Sequence, residues 1–211
     1  MAEPPVAATE MHEVVPGLSH WRVENPNIGG DISSSHAIRD DDTWVLIDPV
    51  PLADDALELL RPATAIVLTA ATHQRSSWRY RKELGATVWL PEGSRETAEE
   101  PDEKYAAGDF LPGGLRAIQT PGPELPHYSL LREREPRVLF SPDLVMETSR
   151  GELAFVPARF HEDPAETRRS VERSLELDFE ILCLAHGRPI TDEPKGALRE
   201  LLARTSRRES G

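Results

Sequence analysis

Short apolar runs along the first quarter of the chain alternate with polar residues, a pattern that is typical of β-strands. The runs are bounded by proline, glycine and aspartate, which commonly end strands. Residues 40–42 are all aspartate and separate two of the runs, so they predict a β-hairpin turn. The strands predicted in this region are residues 12–15, 18–23, 33–39 and 43–48.

Beyond this region, helical periodicity and short buried strands follow one another. Apolar residues recur at helical spacing over residues 52–60, until Pro62 ends the predicted helix. A second helix is predicted over residues 77–84, with Gly85 as its left-handed cap. Further strands are predicted at residues 65–68, 87–90, 115–119, 127–131, 137–140 and 181–184, with helices after Asp163 and near residues 197–202.

Two segments lack this periodicity. Residues 92–110 are acidic and indicate a surface insertion, and the stretch between Asp143 and Asp163 is predicted to be irregular. The remaining order, strands first and then alternating strands and helices, favours one layered α/β domain. We place this domain at residues 12–206, preceded by a flexible N-terminus at residues 1–11.

Composition narrows the class of protein. The 211 residues are 38% hydrophobic and 29% charged, which is enough apolar material for a core. A net charge of −13 argues against general affinity for nucleic acid or anionic membranes. The single cysteine, Cys183, excludes an intrachain disulfide and a thiolate metal cluster. No apolar run approaches the ~18 residues of a membrane span, so we expect a soluble cytoplasmic protein. Nothing in the sequence identifies a partner or an oligomeric state.

Polar residues follow four of the apolar strands directly. They are Asp48, the loop at residues 69–75, Asp143 and His186. Side chains at the carboxyl ends of strands in a mixed sheet can converge on one cleft. Imidazole and carboxylate groups together suit zinc or iron, and water bound to such an ion can become a nucleophile near neutral pH. The sequence therefore predicts a polar cleft with metal-binding residue types.

The order of these motifs resembles the metallo-β-lactamase superfamily, which includes glyoxalase II-like hydrolases, over residues 12–203. The similar segments are VLID ending at Asp48, VLT ending at Thr69, GATVW at residues 85–89, LRAIQTPG ending at Gly122, VLFSPD ending at Asp143 and AHG around His186. The resemblance implies a four-layer αββα sandwich with its active site at one edge. If the chain is an enzyme, the resemblance implies a hydrolase.

The metal ligands of that family are mostly missing. Its HxHxDH motif falls on Ala70, Thr72, Gln74 and Arg75, and its next histidine ligand falls on Pro123. Only the last two expected ligands, Asp143 and His186, are retained. Arg75 would place a positive charge where the second metal ion should lie, and it could pair with Asp143 instead. We therefore expect no two-metal centre and no bound cofactor.

Five residues are candidates for the lining of the cleft: Arg75, His73, His127, Asp143 and His186. His73 is interpreted as a surface or loop-capping histidine, unless a shifted loop turns it inward. His127 is interpreted as a half-exposed strand residue that could also point into the cleft. Asp48 is expected to brace the loop. His161 matches no motif, and no residue is assigned a catalytic role.

Three functional hypotheses follow. The first is a non-catalytic binding or regulatory protein, whose cleft would hold a small anionic molecule through Arg75. The second is a hydrolase of esters, thioesters or lactones with one zinc, iron or manganese ion on Asp143 and His186, and with His73 or His127 as substitute ligands. The third is a scaffold that acts through its outer surface, such as the acidic residues 92–103.

Overall fold

The computed structural model describes residues 3–209, and the side chains of residues 207–209 lie outside the description. Met1, Ala2, Ser210 and Gly211 are not described, so the first two residues of the predicted flexible N-terminus lie outside the described residues. The remainder of that segment contacts the domain through Ala8, whose N–H donates to the Pro51 carbonyl at 2.9 Å.

The first sheet contains seven strands in chain order within the described residues. These are β1 (His12–Val15), β2 (Leu18–Glu24), β3 (Ile32–Asp40), β4 (Thr43–Ile47), β5 (Ala63–Val67), β6 (Thr87–Pro91) and β7 (Glu103–Tyr105). Strands β1 to β4 pair antiparallel, and the pairs from β4 to β7 are parallel. Parallel pairs require a crossover. Helix α1 (Asp54–Glu58) lies between β4 and β5 and helix α2 (Ser77–Leu84) lies between β5 and β6, whereas the described residues form no helix between β6 and β7.

The second sheet has five strands over the same described range. They are β8 (Phe110–Leu111), β9 (Leu115–Gln119), β10 (Tyr128–Arg132), β11 (Val138–Ser141) and β14 (Ile181–Leu184), and β14 pairs parallel with β11 at one edge. A small hairpin of β12 (Val145–Glu147) and β13 (Leu153–Phe155) stands apart from this sheet. Helices α3 (Pro164–Ser174) and α4 (Pro194–Glu209) complete the domain.

In residues 3–209, three apolar cores separate four layers of structure. The side chain of Leu46 packs toward α1 and α2, whereas those of Val45 and Ile47 pack between the two sheets. Strand β4 is therefore buried on both faces, which explains its unbroken apolar sequence. A third core, containing Val171 and Leu198, lies between the second sheet and helices α3 and α4. This is the αββα sandwich predicted from the sequence.

Two predicted irregular segments contain regular structure. The prediction for residues 92–110 was wrong in part, because β7 and the start of β8 lie there. The stretch after Asp143 holds the β12–β13 hairpin. These strands are only two or three residues long, which is too short to show a period-two pattern in sequence. Within the described residues, no helix is both long and apolar enough to cross a bilayer.

The carboxyl ends of strands from both sheets meet at one edge of the sandwich. The hydroxyl of Ser34 in β3 donates to the Gly187 carbonyl at 2.7 Å, and the Ser34 N–H donates to the Ala185 carbonyl at 2.7 Å. These bonds tie the loop after β14 to the first sheet. The loops that follow β4, β5, β11 and β14 can therefore present their side chains to a common space.

Gly122 fixes the loop that precedes β10 against helix α3. Its φ is +134°, and an added Cβ would lie 2.6 Å from the Thr167 Cα. Gly93 is a matched control, because its φ is +83° and nothing lies within 4 Å of the added Cβ. Both substitutions place a side chain at a positive φ, but only Gly122→Ala also brings a Cβ into the backbone of Thr167. We therefore expect Gly122→Ala to lower the free energy of unfolding by about 1–3 kcal/mol more than Gly93→Ala. Urea denaturation measures both, and equal losses would contradict this prediction.

Candidate functional site

Three side chains from separate loops converge at this edge of the sandwich. His73 ends a short 3₁₀ turn, Ala71–His73, that follows β5. Asp143 lies two residues after the end of β11, and His186 lies two residues after the end of β14. The carboxyl ends of these strands therefore bring together residues that lie far apart in the sequence. We call these three residues the His–Asp–His group.

Asp143 lies at the centre of the group. Its Oδ2 is 3.0 Å from the His73 Nε2, and its Oδ1 is 2.8 Å from the His186 Nε2. The potential ligand atoms of the three residues all lie within 4.8 Å of one another. The side chain of His73 is 1% exposed, whereas those of Asp143 and His186 are 20% and 13% exposed. The group is therefore closed on the His73 side and open to solvent on the other.

Each histidine is oriented from behind by an oxygen acceptor. The Asp48 Oδ2 lies 2.9 Å from the His73 Nδ1, and the Ile32 carbonyl lies 2.6 Å from the His186 Nδ1. Asp48 also accepts the Thr69 N–H at 2.9 Å and the Thr69 hydroxyl at 2.6 Å, so its predicted role as a loop brace is confirmed. With both Nδ1 atoms engaged, both Nε2 atoms face Asp143. Acceptors behind histidine are common around metal ligands.

The buried carboxylates hold a proton on His73. Burial opposes a charged imidazole, but Asp143 and Asp48 outweigh it and raise the pKa of His73 to about 9. Burial likewise disfavours an ionised Asp143, yet the charge of His73 and the bonds from both histidines bring the pKa of Asp143 well below its usual range. His73 is therefore an imidazolium at neutral pH, with one proton directed at each carboxylate.

Arg75 lies beneath the group and is 3% exposed. Its Nη1 donates to the Ser34 carbonyl at 2.9 Å and to the Asp48 carbonyl at 3.0 Å. Its Nε and Nη2 are buried without a hydrogen-bond partner among the described residues. The expected pairing with Asp143 takes the form of a longer-range attraction, because no ion pair within 4.0 Å joins the two in the described part of the chain. The backbone carbonyls, being closer, bind the guanidinium instead.

His73 and His127 are both more buried than the sequence indicated. His73 is 1% exposed and His127 is 0% exposed, so the expectation of surface or half-exposed positions was wrong. The sequence does not show that Ala70 and His127 form a bridge between the loop after β5 and the start of β10. His127 lies outside the three-residue group, because its ring nitrogens do not complete a cluster within 4.8 Å.

Two residues outside the five candidates also lie near the group. The Thr72 hydroxyl donates to Glu124, whose pKa is raised by burial and is further affected by His73 and Asp143. The ring of His161 lies beside Asp143, which acts on its pKa through both its charge and its backbone. Neither residue occupies a motif position in the sequence. Their proximity to the site comes from the packing of two loops.

The family-type pair of metal ions does not fit these residues. Four of the motif positions, at Ala70, Thr72, Gln74 and Arg75, offer no histidine or carboxylate donor, and a buried guanidinium occupies the last of them. One ion does fit the His–Asp–His group. Tetrahedral zinc needs donors ~3.3 Å apart at bond lengths of ~2.0–2.1 Å. The separations from Asp143 to His73 and to His186, 3.0 and 2.8 Å, are slightly shorter than this, and all three donor atoms lie within 4.8 Å of one another. The expectation of no cofactor is therefore not supported by this grouping of donors.

Comparisons with known proteins agree with this architecture. The family model described as the metallo-beta-lactamase superfamily matches residues 11–205. Among solved structures, the DIM-1 metallo-beta-lactamase superposes with a TM-score of 0.74 at 12% identity, covering 95% of this chain and 100% of that chain. At these identities, structural likeness bears on the fold alone. No curated protein matches the sequence.

Two further structures are similar over most of their length. A metallo-beta-lactamase superfamily protein from Sulfolobus tokodaii has a TM-score of 0.68 at 17% identity, covering 89% of this chain and 86% of that one. A metallo-beta-lactamase family protein from Thermus thermophilus has a TM-score of 0.67 at 22% identity, covering 93% and 81% respectively. The match therefore extends over the whole sandwich, including the edge that carries the His–Asp–His group.

Proposed function

Because this chain belongs to the metallo-beta-lactamase superfamily but lacks most of its metal ligands, we propose that it is a non-catalytic member that binds a small ligand. The ligand would lie at the open side of the His–Asp–His group, where Asp143 and His186 are partly exposed. One observation carries the proposal: the guanidinium of Arg75 is buried at a family ligand position and bonded to two backbone carbonyls.

Charge balance supports this function. The two carboxylates of Asp48 and Asp143 are compensated by Arg75 and by the imidazolium of His73. Buried charges need partners, and in two-metal enzymes the cations supply them. Here side chains of the chain itself provide the positive charge, so the network is neutral without an ion. The small anionic ligand expected from Arg75 stays a prediction.

A second candidate function is hydrolysis with a single metal ion, and the His–Asp–His group favours it specifically. His73, Asp143 and His186 would hold the ion, and the ion would supply an activated water molecule for attack on an ester, thioester or lactone. This candidate is supported by Asp48 and the Ile32 carbonyl, which contact the Nδ1 atoms of His73 and His186 and leave both Nε2 atoms facing Asp143. His73 would first have to release the proton on its Nε2, since a protonated nitrogen cannot be a ligand.

Metal content separates the two candidates. We expect the protein to retain only substoichiometric metal after incubation with zinc, iron or manganese and gel filtration, and to leave ester, thioester and lactone substrates at background rates. The reason is that metal must displace a proton held by two carboxylates on His73. Mass spectrometry of the untagged protein measures the bound metal.

Two histidine variants provide the control. His186→Ala removes a candidate ligand of the group, whereas His12→Ala removes an imidazole that is 71% exposed and is not part of the group. Near-stoichiometric metal that is lost in His186→Ala but kept in His12→Ala, together with hydrolysis, would overturn the non-catalytic proposal. Metal that is equally retained in both variants would indicate binding elsewhere on the surface.

A further inference from the structure

A groove of about 700 Å³ runs along the outer edge of the first sheet. Its walls are the N-terminal segment at residues 6–10, parts of strands β1 and β2, and the pair Arg188 and Pro189. No member of the His–Asp–His group is among the described residues that line it. This groove, which we call the edge groove, is therefore a separate site from the one described above.

The groove exists because strand β1 is shorter than its neighbour β2. Their pairing begins at His12, which lies opposite His20. Upstream of His12 the chain leaves the sheet, and the Ala8 N–H donates to the Pro51 carbonyl at 2.9 Å. Residues 21–24 of β2 therefore pair with β3 on one side and border the groove on the other.

The backbone of β2 alternates between these two sides. In an antiparallel pair, the N–H and C=O of one residue point to the same side, and those of the next residue point to the other side. The Asn25 N–H continues the pairing with β3 by donating to the Asp31 carbonyl at 3.0 Å. The odd-numbered residues of β2 therefore face β3, and Arg22 and Glu24 direct their backbone groups into the groove. Throughout residues 3–209, nothing forms a backbone hydrogen bond with Arg22 or Glu24 on that side.

An unpaired strand edge is a template for another strand. Its N–H and C=O groups can pair with an extended peptide, which gains affinity from main-chain hydrogen bonds and specificity from alternate side chains. Arg22 and Glu24 together offer two donors and two acceptors at the spacing of a β-ladder. The groove is therefore suited to a short added strand.

The charges of the edge residues define the sequence that such a strand would need. Arg22 and Glu24 are both exposed, and neither forms an ion pair within the described residues. A residue directly opposite each of them would have its side chain on the same face, where opposite charges attract and like charges repel. An added strand would therefore favour a basic residue opposite Glu24 and an acidic residue opposite Arg22.

The other charged side chains of the groove have neighbours within the chain. Glu13 accepts a backbone N–H at 3.2 Å, and the Glu10 Oε2 lies 4.0 Å from the His12 Nε2. Arg188 is bonded to Glu147. The charges left for a bound strand are those of the two edge residues.

The middle residue of the added strand would face the opposite side of the sheet. It would lie opposite Val23, which is 4% exposed and belongs to the same apolar core as Ala8. Val6, which is 47% exposed, also lines the groove. An apolar side chain at this middle position would therefore lie beside apolar residues.

We propose that the edge groove binds an extended peptide as an added strand antiparallel to β2. Such a strand meets Glu24 first and Arg22 last, so its sequence reads basic, apolar and acidic from the amino to the carboxyl end. The site shares no residue with the His–Asp–His group. The inference therefore goes beyond the ligand-binding function proposed above and stands or falls separately from it.

Methylation of the peptide backbone tests the pairing directly. The probe is the capped peptide acetyl-TKVET-amide, titrated into the full chain with amide chemical shifts from NMR as the readout. N-methylation of its lysine and glutamate removes the N–H groups that would donate to Glu24 and Arg22, whereas the N–H of its valine points away from β2. We expect the first change to weaken binding about tenfold or more, and N-methylation of the valine to weaken it less than about twofold. Equal weakening would overturn the inference.

Exchange of charges tests the order of the sequence. The wild type is expected to bind TKVET about fivefold more tightly than TEVKT, and Arg22→Glu combined with Glu24→Arg should reverse this preference. Glu100→Lys combined with Lys104→Glu is the matched control, because both side chains are exposed and neither lines the groove. It should leave the preference unchanged. Equal affinity of the wild type for the two peptides would overturn the assigned roles of Arg22 and Glu24.

Hydrogen exchange tests the unpaired edge in the free protein. The amides of Arg22 and Glu24 should exchange faster than those of Trp21 and Val23, which face β3, and saturation with TKVET should slow the first pair. Absence of binding at about 10 mM peptide would overturn the inference. Protection of Arg22 and Glu24 that increases with protein concentration would show that a second copy of the chain occupies the groove, and it would overturn the peptide proposal equally.

Discussion

Replacing Asp48 with alanine is expected to lower the free energy of unfolding by about 3–5 kcal/mol, the usual cost of removing one partner of a buried ion pair. Asp48 is 4% exposed and accepts hydrogen bonds from the N–H and hydroxyl of Thr69 and from His73. Without Asp48, the positive charges of His73 and Arg75 would be compensated only by the carboxylate of Asp143. Urea denaturation of the wild-type and Asp48→Ala proteins measures the difference.

Two further variants separate the causes. Asp42→Ala removes an exposed aspartate from the turn between β3 and β4. Surface substitutions of this kind usually change the free energy of unfolding by no more than ~0.5 kcal/mol. Asp48→Asn keeps an oxygen acceptor for the Thr69 N–H but removes the charge. We expect its effect to lie between those of the other two variants. A loss in Asp48→Ala no larger than in Asp42→Ala would contradict the assigned role of Asp48.

The metal-free protein is expected to lose about 3 kcal/mol of stability as the pH rises from 6.5 to about 9, because the pKa of His73 rises from 6.5 to about 9 on folding. Between these values the folded chain binds a proton that the unfolded chain has released. The stabilisation that this proton provides is fully present below pH 6.5. It is lost as the pH rises through the pKa of His73 in the folded protein. Denaturation at a series of pH values in the presence of a chelator measures it.

His73→Gln is the matched variant, since glutamine can still donate a hydrogen bond but does not titrate. Its stability should change little between pH 6.5 and 9, apart from the changes that the wild type shares through other groups. If the two proteins lose stability in parallel over this range, His73 is not held as an imidazolium. In that case the neutral, metal-independent network would lose its main support.

Much of the fold follows from local patterns. The strand Leu115–Gln119 and the helix Ser77–Leu84 were predicted with their observed bounds. Asp163 caps the helix after it by accepting the Glu166 N–H at 2.9 Å, as its position before Pro164 predicted. These elements are set by periodicity and capping, which depend on residues within one or two turns. Short edge strands such as Glu103–Tyr105 lack enough residues to carry such a pattern.

The candidate site could be predicted only in part. Asp143 and His186 were identified because each follows an apolar strand at a motif position. The position of His73 does not match that motif, so its inward direction had no signal in the sequence. It depends on the 3₁₀ turn at Ala71–His73 and on the acceptor Asp48, which is separated from His73 by 25 positions. Long-range hydrogen bonds of this kind are not encoded in local spacing.

The sequence by itself determined a layered α/β domain, and its resemblance to the superfamily implied the αββα class, the loss of family ligands at positions such as Ala70 and Arg75, and the survival of Asp143 and His186. Residue identity suffices for the ligand positions, because alanine and arginine cannot supply the missing donors. Only the tertiary structure decided that His73 joins Asp143 and that Glu124 lies next to them. The physical reason is that pKa values and ligand geometry depend on burial and on contacts between opposite charges. Both arise only where loops that are distant in the sequence pack together.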